Sequence, residues 1–226
     1  MSKVDKLNKV NKIGKVKCGQ IRRGVKHPQV DNYIKITASS CGPAQWKNLS
    51  PFLLGPVTIN DRNLNDDYFW TNCNYRKMNE CLIFENYWQG SKIYDIDLDV
   101  NGEILDSFFK RREMLFTSDK PKRRAVPKSK GFVVCGFYNG KIMDYIESRN
   151  KIYCPIYADL IRDSEELKQL KEMLELGQKL LIVGPDGRDI PITKQSMKRA
   201  IMDPTHIFGH ELVICCLLNG WEPWND

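Results

Sequence analysis

The sequence lacks any apolar run approaching the ~20 residues that a membrane-spanning helix needs. It also lacks an apolar stretch near its start. Met1-Ser2-Lys3-Val4-Asp5-Lys6 is charged every few positions, so no secretory leader is expected there. No two of the eight cysteines (18, 41, 73, 81, 135, 154, 215 and 216) form a C-x-x-C pair. That spacing argues against structural zinc, and scattered thiols in a chain of 226 residues argue against a disulfide framework. No internal repeat is visible, which removes solenoids and propellers. These absences lead us to expect an intracellular, cytoplasmic protein with no membrane partner, no metal and no cofactor.

Charge is unevenly placed. Residues 1–26 hold nine Lys/Arg against Asp5 alone, and residues 110–130 hold nine against Glu113 and Asp119. The whole chain is only +7, so the remainder is acidic. Two basic segments on an acidic body suit an anionic partner at defined places; equally, they suit a solubilising arm and a loop. In the first segment apolar residues and lysines both recur every third position, which fits neither a helix nor a strand. We expect a basic arm over 1–29 and then one α+β domain over 30–226, mostly helical around a small mixed sheet.

Strands are expected at Val30–Thr37, Val57–Ile59, Gly131–Tyr138 and Lys179–Val183. Asn139-Gly140 reads as a hairpin turn. Helices are expected at Cys81–Tyr94, from Glu103 to about Arg112, over part of Tyr153–Ile161, from a capping box at Asp163-Ser164-Glu165-Glu166 to Gly177, from Thr193 to about Met202, and over Gly209–Leu218. The polar stretch Asp61–Glu80 is long for a connection, which suits a functional loop.

Three segments carry possible chemistry. Asp95, Asp97, Asp99 and Asn101-Gly102 alternate as in a calcium loop, but the closing carboxylate position falls on Phe108, and the alternation fits a half-buried strand equally well. His206 and His210 are four apart, yet Asp203-Pro204-Thr205 makes a turn and Gly209 sits between the histidines; an anion among the free N–H groups beside His210 fits better than a metal, and a capped helix end fits better than either. Glu85, Gln89 and Lys92 fall at i, i+4 and i+7 and would put carboxylate, amide and amine in one stripe beside Tyr87 and Trp88. Cleavage of a glycosidic bond uses such a set, a carboxyl to move the proton and a charge near the developing oxocarbenium. A solvated helix face with a Glu–Lys network has the same spacing.

On these residues the chain resembles the NADAR (YbiA-like) superfamily of N-glycosidases. The resemblance rests on Ser50-Pro51-Phe52, then Pro56 and Val57 to Ile59, then Glu85-Asn86-Tyr87-Trp88-Gln89-Gly90-Ser91-Lys92. Leu180-Leu181-Ile182-Val183-Gly184 and the closing apolar helix follow in order. The segment between Ile59 and Glu85 is longer than the family's, Glu211 stands where the family has Asn, and no Arg follows the last helix. The resemblance implies a NADAR-like fold and cleavage of an N-glycosidic bond in an ADP-ribosylated nucleobase or nucleotide-like substrate. It makes Glu85 and Lys92 the catalytic pair. Ser50, Phe52, Tyr87, Trp88, Gln89, His210 and Glu211 would bind substrate, and Arg111, Arg112, Arg123 and Arg124 would meet pyrophosphate or nucleic acid. The other reading is a non-enzymatic nucleic-acid-binding accessory protein that uses the arm and the 117–130 loop. Lys-, Asn- and Ile-rich usage suits an AT-rich genome, such as a viral one.

Overall fold

The computed structural model describes residues 15–20, 32–59 and 79–225. Most of the basic arm, Val30 and Asp31, Cys73 and nearly all of the Asp61–Glu80 stretch lie outside the described residues. In chain order the strands are β1 (Val16–Gln20), β2 (Ile34–Thr37), β3 (Val57–Thr58), β4 (Glu80–Cys81), β5 (Lys92–Tyr94), β6 (Val133–Tyr138), β7 (Lys141–Met143) and β8 (Leu180–Gly184). The α-helices are α1 (Phe84–Gly90), α2 (Asp106–Phe116), α3 (Tyr145–Ser148), α4 (Cys154–Ile161), α5 (Glu165–Glu175), α6 (Lys194–Ile201) and α7 (His210–Leu218). Helices and small sheets alternate, an α+β arrangement. Among the described residues no helix is long and apolar enough to cross a membrane.

Two compact units make up the chain: Met1–Ser50 with Tyr157–Asp226, and Pro51–Ile156. One mixed sheet was expected; the described strands form three small sheets. In the first unit β8 lies between β1 and β2, parallel to both, with Val16, Leu180 and Ile34 in register. Val16–Gln20, read from sequence as part of an arm, is therefore a sheet strand. All five residues of β8 are buried. Helix α7 packs on β1 and β8 and is buried over His210–Leu217. Apolar all round from Leu212 onward, the helix has no solvent face and belongs in a core. Helix α5 presents Leu167, Leu170 and Leu174 inward at helical spacing. Its N-cap is Ser164, which accepts from Leu167 N, one residue later than the expected box. Thr193 caps α6 by accepting from Ser196 N.

In the second unit β5, β6 and β7 form an antiparallel sheet. Asn139 (φ 48°) and Gly140 (φ 76°) close the β6–β7 hairpin in left-handed conformations, which Asn and Gly tolerate best. Ile93, Phe108, Phe109 and Phe137 form a core whose rings meet edge to face at 5.1–5.7 Å. The expected helix over Cys81–Tyr94 is shorter. It ends at Gly90, where α1 approaches α2 so closely that a Cβ would lie 2.7 Å from Phe116. Lys92–Tyr94 instead pair with β6. The aspartate run is neither an EF-type loop nor a strand. Asp95–Asp97 is a 3₁₀ turn; Asp97 turns inward to accept from Tyr94 N, and Asp99 accepts from Asn101 N and Glu103 N, each at 2.8 Å.

Buried Asp97 meets Arg111 through two parallel hydrogen bonds, one of them Nη2 to Oδ2 at 2.6 Å. Removing one partner of a buried pair strands the other charge. Asp97→Ala is expected to cost about 3–5 kcal/mol, read as a lower midpoint in urea unfolding.

Candidate active site

Helix α1 starts where a turn covers its first free N–H groups. Leu54 O accepts from Phe84 N at 2.8 Å and Pro51 O from Glu85 N at 3.2 Å. The turn carrying Phe52 is thus attached to the backbone of Glu85. The helix buries Phe84, Asn86 and Tyr87 and leaves Glu85 and Trp88 half-buried. At its far end Ser91 Oγ donates back to Tyr87 O, and Phe137 N donates to Ser91 O at 2.7 Å. Those bonds fix where the chain leaves the helix, so Lys92 enters β5 in one orientation.

The side chains of this segment form a directed chain. Lys92 Nζ donates to Gln89 Oε1 at 3.1 Å, and Gln89 Nε2 donates to Glu85 Oε1 at 2.7 Å. An ammonium can only donate, so the amide oxygen must face Lys92 and its NH₂ must face Glu85. Glu85 Oε1 then acts as an acceptor, as an ionised carboxylate does. Gln89 is 3% exposed, whereas Glu85 and Lys92 are half-buried. A buried amide therefore couples two charged groups that both reach toward the surface. Lys92 Nζ also lies 4.9 Å from the Trp88 ring centre, and Trp88 leans on Tyr153 at 5.1 Å.

Three hydrogen bonds from buried Asn86 hold the start of the basic loop. Its Nδ2 donates to Ser118 O and Lys120 O at 3.2 and 3.1 Å, and its Oδ1 accepts from Lys122 N at 2.8 Å. The next residue, Arg123, is exposed and places its guanidinium 5.7 Å from the Phe52 ring centre. Phe52, Glu85, Trp88, Gln89, Lys92 and Arg123 are in this way tied together within the second unit. Sequence spacing gave no hint of Asn86, because nothing local marks a side chain whose partners are 32–36 residues away.

Other expected contacts have different employment. Tyr87 is fully buried and stacks on Phe116 at 5.2 Å, so it is core rather than a platform for a base. Arg112 is 0% exposed and donates to Gly90 O and Phe137 O, which removes it from reach of phosphate. Arg111 is held by Asp97, and Arg124 donates to Val126 O and Gly131 O. Ser50 is buried at the end of a 3₁₀ turn in the first unit.

His210 and Glu211 also belong to the first unit. His210 Nε2 lies 2.6 Å from Ala38 O, and a carbonyl accepts only, so that nitrogen carries a proton. Its Nδ1 is 3.4 Å from Glu211 Oε2. Glu211 is 0% exposed, its Oε1 accepts from Asp186 N, and Gly184 leaves the space that its carboxyl fills. Burial raises the Glu211 pKa above the ordinary range; His210 opposes the rise and Asp186 adds to it. His206 is exposed and paired with Asp203. Among the described residues no cluster of three His, Cys, Asp or Glu side chains could hold a metal ion, and every described cysteine is a free thiol.

Comparison with protein-family models, with curated proteins and with solved structures finds no match. Function must therefore be argued from the chemistry of these side chains.

Asn86→Ala should unpin the loop. We expect faster amide exchange over residues 117–124 and a loss of about 2–4 kcal/mol, three part-buried hydrogen bonds at about 0.5–1.5 kcal/mol each. A carboxyl whose folded pKa is raised binds more protons folded than unfolded over the interval between its two pKa values. Stability then falls as pH climbs from about 4.5 to the raised value. Titrating unfolding midpoints should show that decline in the wild type and a flatter profile in Glu211→Gln; Tyr157 and Cys215, whose pKa values burial raises and Glu211 raises further, titrate above this interval.

Proposed function

We propose that this chain is an N-glycosidase of NADAR-like fold that cleaves the bond between a ribose and a nitrogenous base in an ADP-ribosylated nucleobase or nucleotide-like substrate. The observation that carries the reading is the Glu85–Gln89–Lys92 hydrogen-bond chain, with Trp88 beside its ammonium end. In such a reaction the C1′–N bond breaks, its electron pair leaves with the base nitrogen, and positive charge develops at C1′ and the ring oxygen. Glu85 supplies the nearby negative charge and takes the proton of the attacking water. Gln89 holds that carboxylate in place by donating to one of its oxygens. Lys92 offers an ammonium to the departing base or to a substrate phosphate, and Trp88 and Phe52 offer ring faces. Arg123 supplies a second cation on the Phe52 side. The Pro51–Leu54 turn, which carries Phe52 and bonds to the start of α1, supports the same reading, because the resemblance depends on those two segments occurring together.

The test is base or ADP-ribose release from an oligonucleotide carrying ADP-ribose on a base, followed by chromatography. Glu85→Gln and Lys92→Ala should each lower turnover at least ~100-fold, the scale of a positioned acid–base group, with unchanged unfolding midpoints. Full turnover in both variants would discard this site.

A further inference from the structure

Away from α1, the first unit has a surface to which the glycosidase reading gives no role. Side chains alternate between the faces of a sheet. In the three-stranded sheet, Lys17, Leu181 and Lys35 stand in one row, in register across β1, β8 and β2. One step before the strands, Leu180 N donates to Lys15 O and Ile34 N to Lys179 O, which continues the ladder to a row of Lys15, Lys179 and Tyr33. These two rows share a face. Lys17 Nζ lies 5.0 Å and Lys179 Nζ 5.8 Å from the Tyr33 ring centre, which places both ammonium groups around one aromatic ring. All four lysines are exposed, and no ion pair among the described residues uses any of them. The opposite face carries Cys18, Ile36 and Ile182, which are core. Beside β1 a cleft of about 480 Å³ is lined by Lys15, Lys17, Tyr33, Asn219, one carboxylate, Asp189, and the 190–192 segment.

We propose that this sheet face binds single-stranded nucleic acid, with a base on Tyr33 and the flanking phosphates on Lys15, Lys17, Lys35 and Lys179. Four like charges gathered on one small sheet repel one another, and a polyanion turns that repulsion into attraction. The energies favour exchange at the ring. A lysine resting on an exposed ring is worth about 0.5–1 kcal/mol, whereas a stacked base is worth about 1–3 kcal/mol. The lysines can therefore swing onto phosphates and leave the ring to a base. The cleft has the size of a nucleotide site. A bilayer is the poorer match, since Leu181, the aliphatic residue in these rows, is 6% exposed. The inference stands apart from the chemistry proposed for Glu85 and Lys92.

The test uses the full chain and a labelled oligothymidylate of about 12 nucleotides, a single-strand site size, followed by fluorescence anisotropy between about 50 and 300 mM salt. Tyr33→Ala should weaken binding about five- to a hundredfold, and Tyr33→Phe should restore it. The double variant Lys17→Gln, Lys179→Gln should reduce the slope of log affinity against log salt by about 1.4, two phosphates' worth for a single strand. Unchanged binding in Tyr33→Ala overturns the proposal. So does displacement of the oligonucleotide by phosphatidylserine vesicles or polyglutamate at equal charge. A footprint on the wild-type chain needs no variant to fold: bound oligonucleotide should shield Lys17, Lys35 and Lys179 from acetylation, and undiminished labelling of all three rejects the surface.

Discussion

The buried cation of Arg112 organises the junction of α1 with β6 in the second unit. The guanidinium of Arg112 sits in a box of rings, 4.8 Å from the centre of Phe116, 5.1 Å from Phe137, 5.8 Å from Tyr87 and 6.0 Å from Phe108. It donates to the carbonyls of Gly90 and Phe137. Burying a charge costs several kcal/mol; ring faces and carbonyl dipoles help offset that cost as long as they stay where they are. The cation thereby fixes the last residue of α1 against β6. Two residues further on, Lys92 begins β5, and its reach to Gln89 depends on that junction.

The same logic explains why the site spans a change of secondary structure. Within one helix, Glu85 and Gln89 meet at i and i+4. Lys92 arrives from a strand, three residues beyond Gln89, because Gly90 allows α1 to press on Phe116 and Ser91 turns the chain back through its bond to Tyr87 O. A helix continuing through 94 would have placed the three groups on one rod, open to solvent. The bend buries the amide and leaves the charged ends accessible.

Much of the architecture was readable because local signals matched it. The Asn139-Gly140 turn, the leucines of α5, the cap at Thr193 and the apolar stretches of β8 and α7 each announce their element. What failed locally failed for a nonlocal reason. The parallel partner of β1 lies far along the chain, so Val16-Lys17-Cys18-Gly19-Gln20 looked like part of a basic arm. Gly90-Ser91 gave no warning that the helix would end, since the cause is a ring on α2. Arg112 resembled its basic neighbours in sequence, and only the four surrounding aromatics separate it from exposed Arg123. Of the proposed stripe, the residue types and their proximity were legible, while Asn86 and the Phe52–Arg123 contact were not.

The central position of β8 has a consequence for how the molecule assembles. Pro51–Ile156 is one continuous stretch, so its contacts can form as soon as that stretch leaves the ribosome. The three-stranded sheet cannot form so early. Its middle strand is Leu180–Gly184, while both of its edges were made before residue 38. During synthesis β1 and β2 therefore wait as unpaired segments, and closing so long a loop is slow. The lysines on that sheet guard it during the delay, because charged side chains along unpaired strands discourage them from joining the wrong chain.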